Sequence, residues 1–119
     1  MKNVISITIG ILGLSFKPNT DDIRDSTSLK IANILIESGA TVKCYDPQAM
    51  NNAKKALPHI ICCNSAYEVS QDANALIIAT EWNDFRALDM IKLKENMKNA
   101  IIFDLRNIYN KKEVTDLGI

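Results

Sequence analysis

Apolar runs suited to buried strands alternate along this chain with amphipathic stretches suited to helices, and that alternation restricts the fold more than any single motif. The runs fall at Ile7 to Leu14, Thr41 to Tyr45, Ile60 to Cys62, Ala75 to Ala79 and Ala100 to Phe103. Between them come helix signals instead of tight hairpin turns. Ser26 is placed to cap a helix running to about Ser38, with Leu29, Ala32, Asn33 and Ile36 on one side and Ile31, Ile34 and Leu35 near it. Gly39 sits where such a helix stops. A polar helix is expected from Gln48 to Ala56, after Asp46-Pro47 ends the second strand, and Ser65 caps a brief helix through Ser70. The tail from Asn110 to Ile119 fits either helix or coil.

Strands joined by helical crossovers predict an α/β fold: a three-layer, open, mostly parallel five-stranded sheet, Rossmann-like, with strand order 3-2-1-4-5. The first strand is apolar on both faces, as a strand at the centre of a parallel sheet must be. In that order the sheet reverses beside strand one. The polar segment Gly13 to Ser26 then opens at the topological switch point, next to the loops after strands four and five, where open sheets of this class bind ligands.

The chain has 119 residues, 47% of them hydrophobic, which suits one compact domain over 1–119. Its formal net charge is +0, so no global field favours nucleic acid or an acidic membrane, and any anion site has to be local. No apolar run approaches the roughly 20 residues that a bilayer span needs, and the N-terminus lacks the regions of a signal peptide. A cytoplasmic location is expected. Cys44, Cys62 and Cys63 cannot all pair, and sequence neighbours bridge poorly, so reduced, buried, inert thiols are expected over a catalytic or metal role. His59, the one histidine, is expected in a loop without catalytic partners.

Lys17 precedes Pro18, which biases it away from helix and lets its side chain leave the strand end. It offers a compact charge for a phosphate or a sugar oxygen, or is a solvated loop lysine. Arg24, just before the Ser26 cap, could grip a pyrophosphate beside free helix N–H groups, or pair with Asp21, Asp22 or Asp25. The aspartates themselves, with Asn19 and Thr20, are read as turn formers and helix-dipole partners. Arg106 could bring a third cation to the cleft, or pair with Asp104. Trp82 and Phe85 are read as packing over the sheet end in preference to walling the cleft. Gly10-Ile11-Leu12-Gly13 lies in the strand and makes no Gly-x-Gly-x-x-Gly loop, so Asp46 is only a weak match to the ribose-binding acid of dinucleotide folds. No Ser-His-Asp set, phosphate-binding P-loop or zinc spacing is present.

The segment Gly13-Leu14-Ser15-Phe16-Lys17-Pro18-Asn19-Thr20-Asp21-Asp22-Ile23-Arg24-Asp25-Ser26 is followed in order by Tyr45-Asp46-Pro47, Thr80-Glu81-Trp82 and Phe103-Asp104-Leu105-Arg106-Asn107. Together these closely resemble the C-terminal, UDP-binding domain of the UDP-glucose/GDP-mannose dehydrogenases over nearly the whole chain. The resemblance implies an enzyme whose N-terminal domain binds NAD, whose long central helix makes a homodimer, and whose reaction oxidises a sugar C6 alcohol to a carboxylate through a thiohemiacetal at a cysteine. It assigns Lys17 to the bound UDP-sugar with Phe16 beside it in the substrate wall, Arg106 to the substrate side, and Arg24 to NAD across the interdomain cleft. The family's catalytic cysteine, lysine, asparagine and aspartate precede this domain, and Cys44, Cys62 and Cys63 do not match that cysteine. The implied entity is therefore a single domain that turns over no substrate without the upstream domains of the same enzyme. Two other readings share the topology. A receiver-like or flavodoxin-like binding module is disfavoured by Cys62-Cys63-Asn64, where a receiver carries its phosphorylated aspartate, and by the few hydroxyls of the first loop. A purely structural role predicts that Lys17 and Arg24 serve no ligand.

Overall fold

The computed structural model describes residues 7–15, 23, 26–80, 82–105, 111–116 and 118. In chain order its elements are β1 (Thr8–Leu12), α1 (Thr27–Glu37), β2 (Thr41–Tyr45), α2 (Met50–Ala56), β3 (Ile61–Cys62), α3 (Ala66–Ser70), β4 (Ala75–Ile78), α4 (Asn83–Arg86), α5 (Met90–Asn96), β5 (Ile102–Asp104) and α6 (Lys111–Asp116). The sheet order is β3-β2-β1-β4-β5, as the alternation of segments predicts, and every pairing is parallel. Leu12 stands in register with Tyr45 on one side and Ile78 on the other, so β1 is hydrogen-bonded along both edges.

Successive strand residues point to opposite faces, and each face has its own core. Leu12, Leu76 and Ile78 pack with Val69, Phe85 and Leu93 of α3, α4 and α5. Ile11, Val42 and Cys44 pack with Ala32 of α1 and Ala53 of α2. These are the three expected layers. Gly10 lets α3 approach β1: a Cβ there would lie 2.5 Å from both Leu76 Cδ2 and Val69 Cγ1.

The element ends differ from the sequence expectations for identifiable reasons. β1 stops at Leu12, two residues early, because Gly13 donates to the Tyr45 carbonyl at 2.9 Å and then turns away at a φ of +97°. α2 starts at Met50 and not Gln48, because the Asp46 side chain holds the N–H groups of Gln48 and Ala49 in a turn outside the helix. β3 begins at Ile61 and β5 at Ile102; before the latter, Ile101 donates to the Asn99 carbonyl and closes a turn across Ala100. The interval between β4 and β5 contains α4 and α5, the second capped by Asp89 accepting from Ile91 and Lys92.

The Ser26 and Ser65 caps form as expected, accepting from Leu29 and Glu68. In α1, however, the buried line runs through Ser28 and Ala32, so Asn33, one 100° step beyond Ala32, is exposed, and Ile34 is 62% exposed. Helix α6 occupies part of the tail that sequence left open.

Gly13 combines a left-handed φ with the Thr80 backbone nitrogen 2.7 Å from where a Cβ would stand. Gly13→Ala should therefore lower the unfolding free energy by at least about 1 kcal/mol. A urea midpoint equal to that of the unsubstituted protein would contradict this packing.

Candidate functional site

Parallel pairing brings the carboxyl ends of β1, β2 and β4 to one rim of the sheet. All the buried polar side chains among the described residues except Ser70 gather there: Ser15, Ser26, Ser28, Asp46 and Thr80. A buried polar group is costly unless it is hydrogen-bonded, so their partners define the rim.

Asp46 is wholly buried and accepts five N–H groups. Oδ2 takes the Leu14 amide at 2.8 Å, the Ser15 amide at 3.4 Å and the Trp82 indole N–H at 3.3 Å. Oδ1 takes the amides of Gln48 and Ala49, both at 2.8 Å. Pro47 has no N–H to offer, which makes those two the next donors along the chain. One carboxylate thus ties together the loop after β1, the start of α2 and the loop after β4.

Hydroxyls complete the fastening. Thr80 Oγ1 donates to the Ser15 carbonyl at 2.9 Å, and Ser26 Oγ donates to the Leu14 carbonyl at 2.7 Å while capping α1. Ser26 Oγ also lies 3.1 Å from Ser28 Oγ. Ser15 and Ser26 are therefore both fastened to the rim, Ser15 through Asp46 and Thr80 and Ser26 through the Leu14 carbonyl.

This rim is a positioning scaffold. The Asp46 carboxylate is closed to solvent and occupied by donors, so it serves neither as a general base nor as a ribose ligand. With no glycine fingerprint after β1, the described residues do not fit a dinucleotide site of their own. Trp82 and Phe85 are buried and pack over the sheet end as the sequence suggests. Tyr45 meets Phe85 edge to face, with centroids 6.4 Å apart, and its hydroxyl pKa is raised by burial and then by the carboxylates of Asp84 and Asp46.

The four residues assigned to ligands, Phe16, Lys17, Arg24 and Arg106, lie outside the described residues, as do Asn19, Thr20, Asp21, Asp22, Asp25 and Glu81. Ser15, Ile23, Ser26 and Leu105 bracket them in the chain. Sequence reasoning missed the anchoring role of Asp46. The available signal was an Asp-Pro at a strand end, two residues before a helical stretch, which is the pattern of a side chain capping its own turn.

Cys44 and Cys63 are buried and free, as expected, whereas Cys62 is exposed because β3 is the sheet edge, and the expectation of inert burial fails for it. His59 is exposed in the turn before β3. Among the described residues no cluster of three metal-ligating side chains occurs, and no helix is long and apolar enough to cross a membrane. A cavity of about 390 Å³ lies between α2 and β3, lined by Met50, Asn51, Lys54, Ile61, Cys62, Cys63 and Asn64.

Residues 10–111 match the profile of the UDP-glucose/GDP-mannose dehydrogenase family, UDP binding domain. A UDP-glucose 6-dehydrogenase of Rhizobium meliloti (strain 1021) is 50% identical over 110 residues, covering 92% of this chain and 25% of the relative. The structure of a UDP-glucose dehydrogenase from the hyperthermophilic archaeon Pyrobaculum islandicum superposes with a TM-score of 0.70 at 32% identity, over 83% of this chain and 25% of that one. An NDP-N-acetyl-D-galactosaminuronic acid dehydrogenase from Methanosarcina mazei Go1, 24% identical, shares the fold with a TM-score of 0.82 over 98% of this chain and 24% of that one. The chain thus spans about a quarter of the length of the relatives it matches.

Asp46→Asn replaces an acceptor oxygen by an amide that faces N–H donors, and should cost about 2 to 4 kcal/mol of stability. Trp82→Phe, which loses a single donor, should cost about 1 kcal/mol. Urea midpoints of the two variants check both the order and the size. Burial also raises the Cys44 and Cys63 thiols and the Tyr45 hydroxyl above their ordinary values. The folded state then holds protons that the unfolded chain releases, so stability is intact below the ordinary thiol value of 9.0 and falls as pH rises past it. Thermal midpoints that stay level from neutral pH into that alkaline range would contradict this.

Proposed function

The chain belongs to the UDP-glucose/GDP-mannose dehydrogenase family, and on that premise we propose that it supplies the nucleotide-sugar half-site of an NAD-dependent UDP-glucose 6-dehydrogenase. That enzyme would oxidise the C6 alcohol of UDP-glucose to the carboxylate of UDP-glucuronate. The observation that carries the reading is the family match over residues 10–111, which spans both the segment after β1 and the Phe103 to Asn107 motif. UDP-glucose is preferred over UDP-N-acetylmannosamine or GDP-mannose because the relative at 50% identity is named a UDP-glucose 6-dehydrogenase.

In this reading Lys17 sets a compact charge against the bound nucleotide sugar, Phe16 offers an apolar surface beside it, and Arg106 adds a second cation on the substrate side. Arg24 reaches NAD with its guanidinium, a planar fork matched to phosphate oxygens. A chain of net charge +0 has no long-range field to gather a UDP-sugar, so these local cations have to hold it. The rim supports the proposal by fixing Ser15 and Ser26, the two points between which Phe16, Lys17 and Arg24 are strung.

NAD, when bound, accepts hydride, and since the described residues do not fit a dinucleotide site of their own, the cofactor would be held mainly by other domains. The 119 residues would act as one domain beside the NAD-binding and central domains of the same polypeptide, in a homodimeric enzyme of the cytoplasm. The catalytic cysteine would come from those domains as well.

The test is an NMR titration of the labelled 119-residue chain with UDP-glucose, run beside Lys17→Ala. Shifts concentrated at Phe16, Lys17 and Arg106, weakened in the variant, are expected at roughly millimolar affinity, because one side of a shared cleft forgoes much of the contact energy. Identical titrations of the two proteins, or no shifts at all, would overturn the assignment of Lys17. The same chain given UDP-glucose and NAD should produce no NADH; turnover by it alone would place catalysis within these residues and refute the half-site.

A further inference from the structure

Two of the three cysteines face each other across the last pair of strands. Cys44 of β2 and Cys62 of β3 are register partners, so their side chains leave the same face of the sheet, and their sulfurs lie 3.7 Å apart with the Cys44 thiol directed at Cys62. Cys63 belongs to the opposite face, in the core cluster with Val69 and Leu76, while Cys44 sits in the cluster with Ala49 and Ala53. Alternation along β3 therefore selects one pair from three thiols. The pair is also asymmetric: Cys44 is fully buried, whereas Cys62 is exposed and lines the cavity between α2 and β3 with Met50, Asn51 and Lys54.

We propose that Cys62 is an oxidation-sensitive thiol and Cys44 its resolving partner, the two closing into a reversible disulfide across the β2–β3 edge when a peroxide supplies the oxidant. With hydrogen peroxide, the Cys62 thiolate attacks one peroxide oxygen and the O–O bond breaks. Cys62 becomes a sulfenic acid and the departing hydroxide takes up the thiol proton as water. Cys44 then gives up its proton and attacks the Cys62 sulfur, the S–O bond breaks, and a second water leaves. Two thiols and one peroxide become one disulfide and two waters, with sulfur oxidised and peroxide oxygen reduced.

The order of events follows from access. Only Cys62 meets solvent, and burial pushes the Cys44 thiol up, with its neighbour Cys62 adding to the shift, so Cys44 is the poorer first nucleophile. A sulfenic acid that forms at Cys62 has a thiol already in contact, which favours condensation over further oxidation. The sulfurs must still close from 3.7 Å to the roughly 2.05 Å of a disulfide. β3 is an edge strand of two residues, paired on one side only, and is the part of the sheet best able to make that adjustment.

The experiment treats the purified protein with equimolar hydrogen peroxide, alkylates the remaining thiols and maps the peptides by mass spectrometry. The expected result is a peptide pair joined through Cys44 and Cys62, lighter by two hydrogens, with Cys63 alkylated and all three thiols recovered after dithiothreitol. The joined pair should persist in Cys63→Ser and vanish in Cys62→Ser, a change at an exposed position that leaves the core intact. Cys44 found alkylated beside a Cys62 sulfinic acid, a bond made through Cys63, or three unmodified thiols would each overturn the proposal.

Discussion

The rim of this sheet is organised around a carboxylate that is closed to bulk solvent. Asp46 carries its charge at zero exposure, a placement that would be prohibitive without partners, and five N–H groups from three separate segments supply them. Donors of this kind are partial charges fixed by the backbone, so they stabilise the anion only where the chain holds them. That requirement works in both directions. The loop after β1, the start of α2 and the indole of Trp82 keep their positions because the carboxylate is there, and it can be there because they are. Gly13 belongs to the same arrangement, since its left-handed φ brings the amides of Leu14 and Ser15 round to Oδ2.

Much of the architecture was legible in the sequence because it depends on local pattern. Apolar runs with helical intervals dictate parallel strands, and Ser26, Ser65 and Gly39 mark helix ends by chemistry that operates within a few residues. What escaped the sequence depends on partners distant along the chain. Leu12 ends β1 because of what Gly13 does beside Tyr45, and α2 starts late because Asp46 captures two amides first. The exposure of Asn33 reflects a rotation of the buried helix face toward Ser28 and Ala32 that composition alone does not set. Cys62 looked like a core residue in an apolar run until the sheet order put that run at an edge.

The candidate site divides along the same line. Its charged residues, Lys17, Arg24 and Arg106, drew notice in the sequence through residue type and setting, but they lie outside the described residues, and the roles proposed for them rest on family membership and on where their segments attach. The supporting residues were the harder ones to find. Thr80, Ser26 and Asp46 resemble ordinary turn and cap residues, and only the long-range bonds of Thr80 to Ser15, Ser26 to Leu14 and Asp46 to Trp82 show that they form one network.

That division has a physical logic. A polar group placed to bind a ligand has to remain unsatisfied, or bound to exchangeable water, until the ligand arrives, whereas a group that fixes backbone has to be satisfied permanently. One residue cannot do both well. The chain keeps its buried carboxylate and hydroxyls for the backbone of the rim, so under the proposed function recognition of a nucleotide sugar would fall to the cations Lys17 and Arg106. On the proposed reading, such a rim would keep one side of a cleft in place before its ligand arrives.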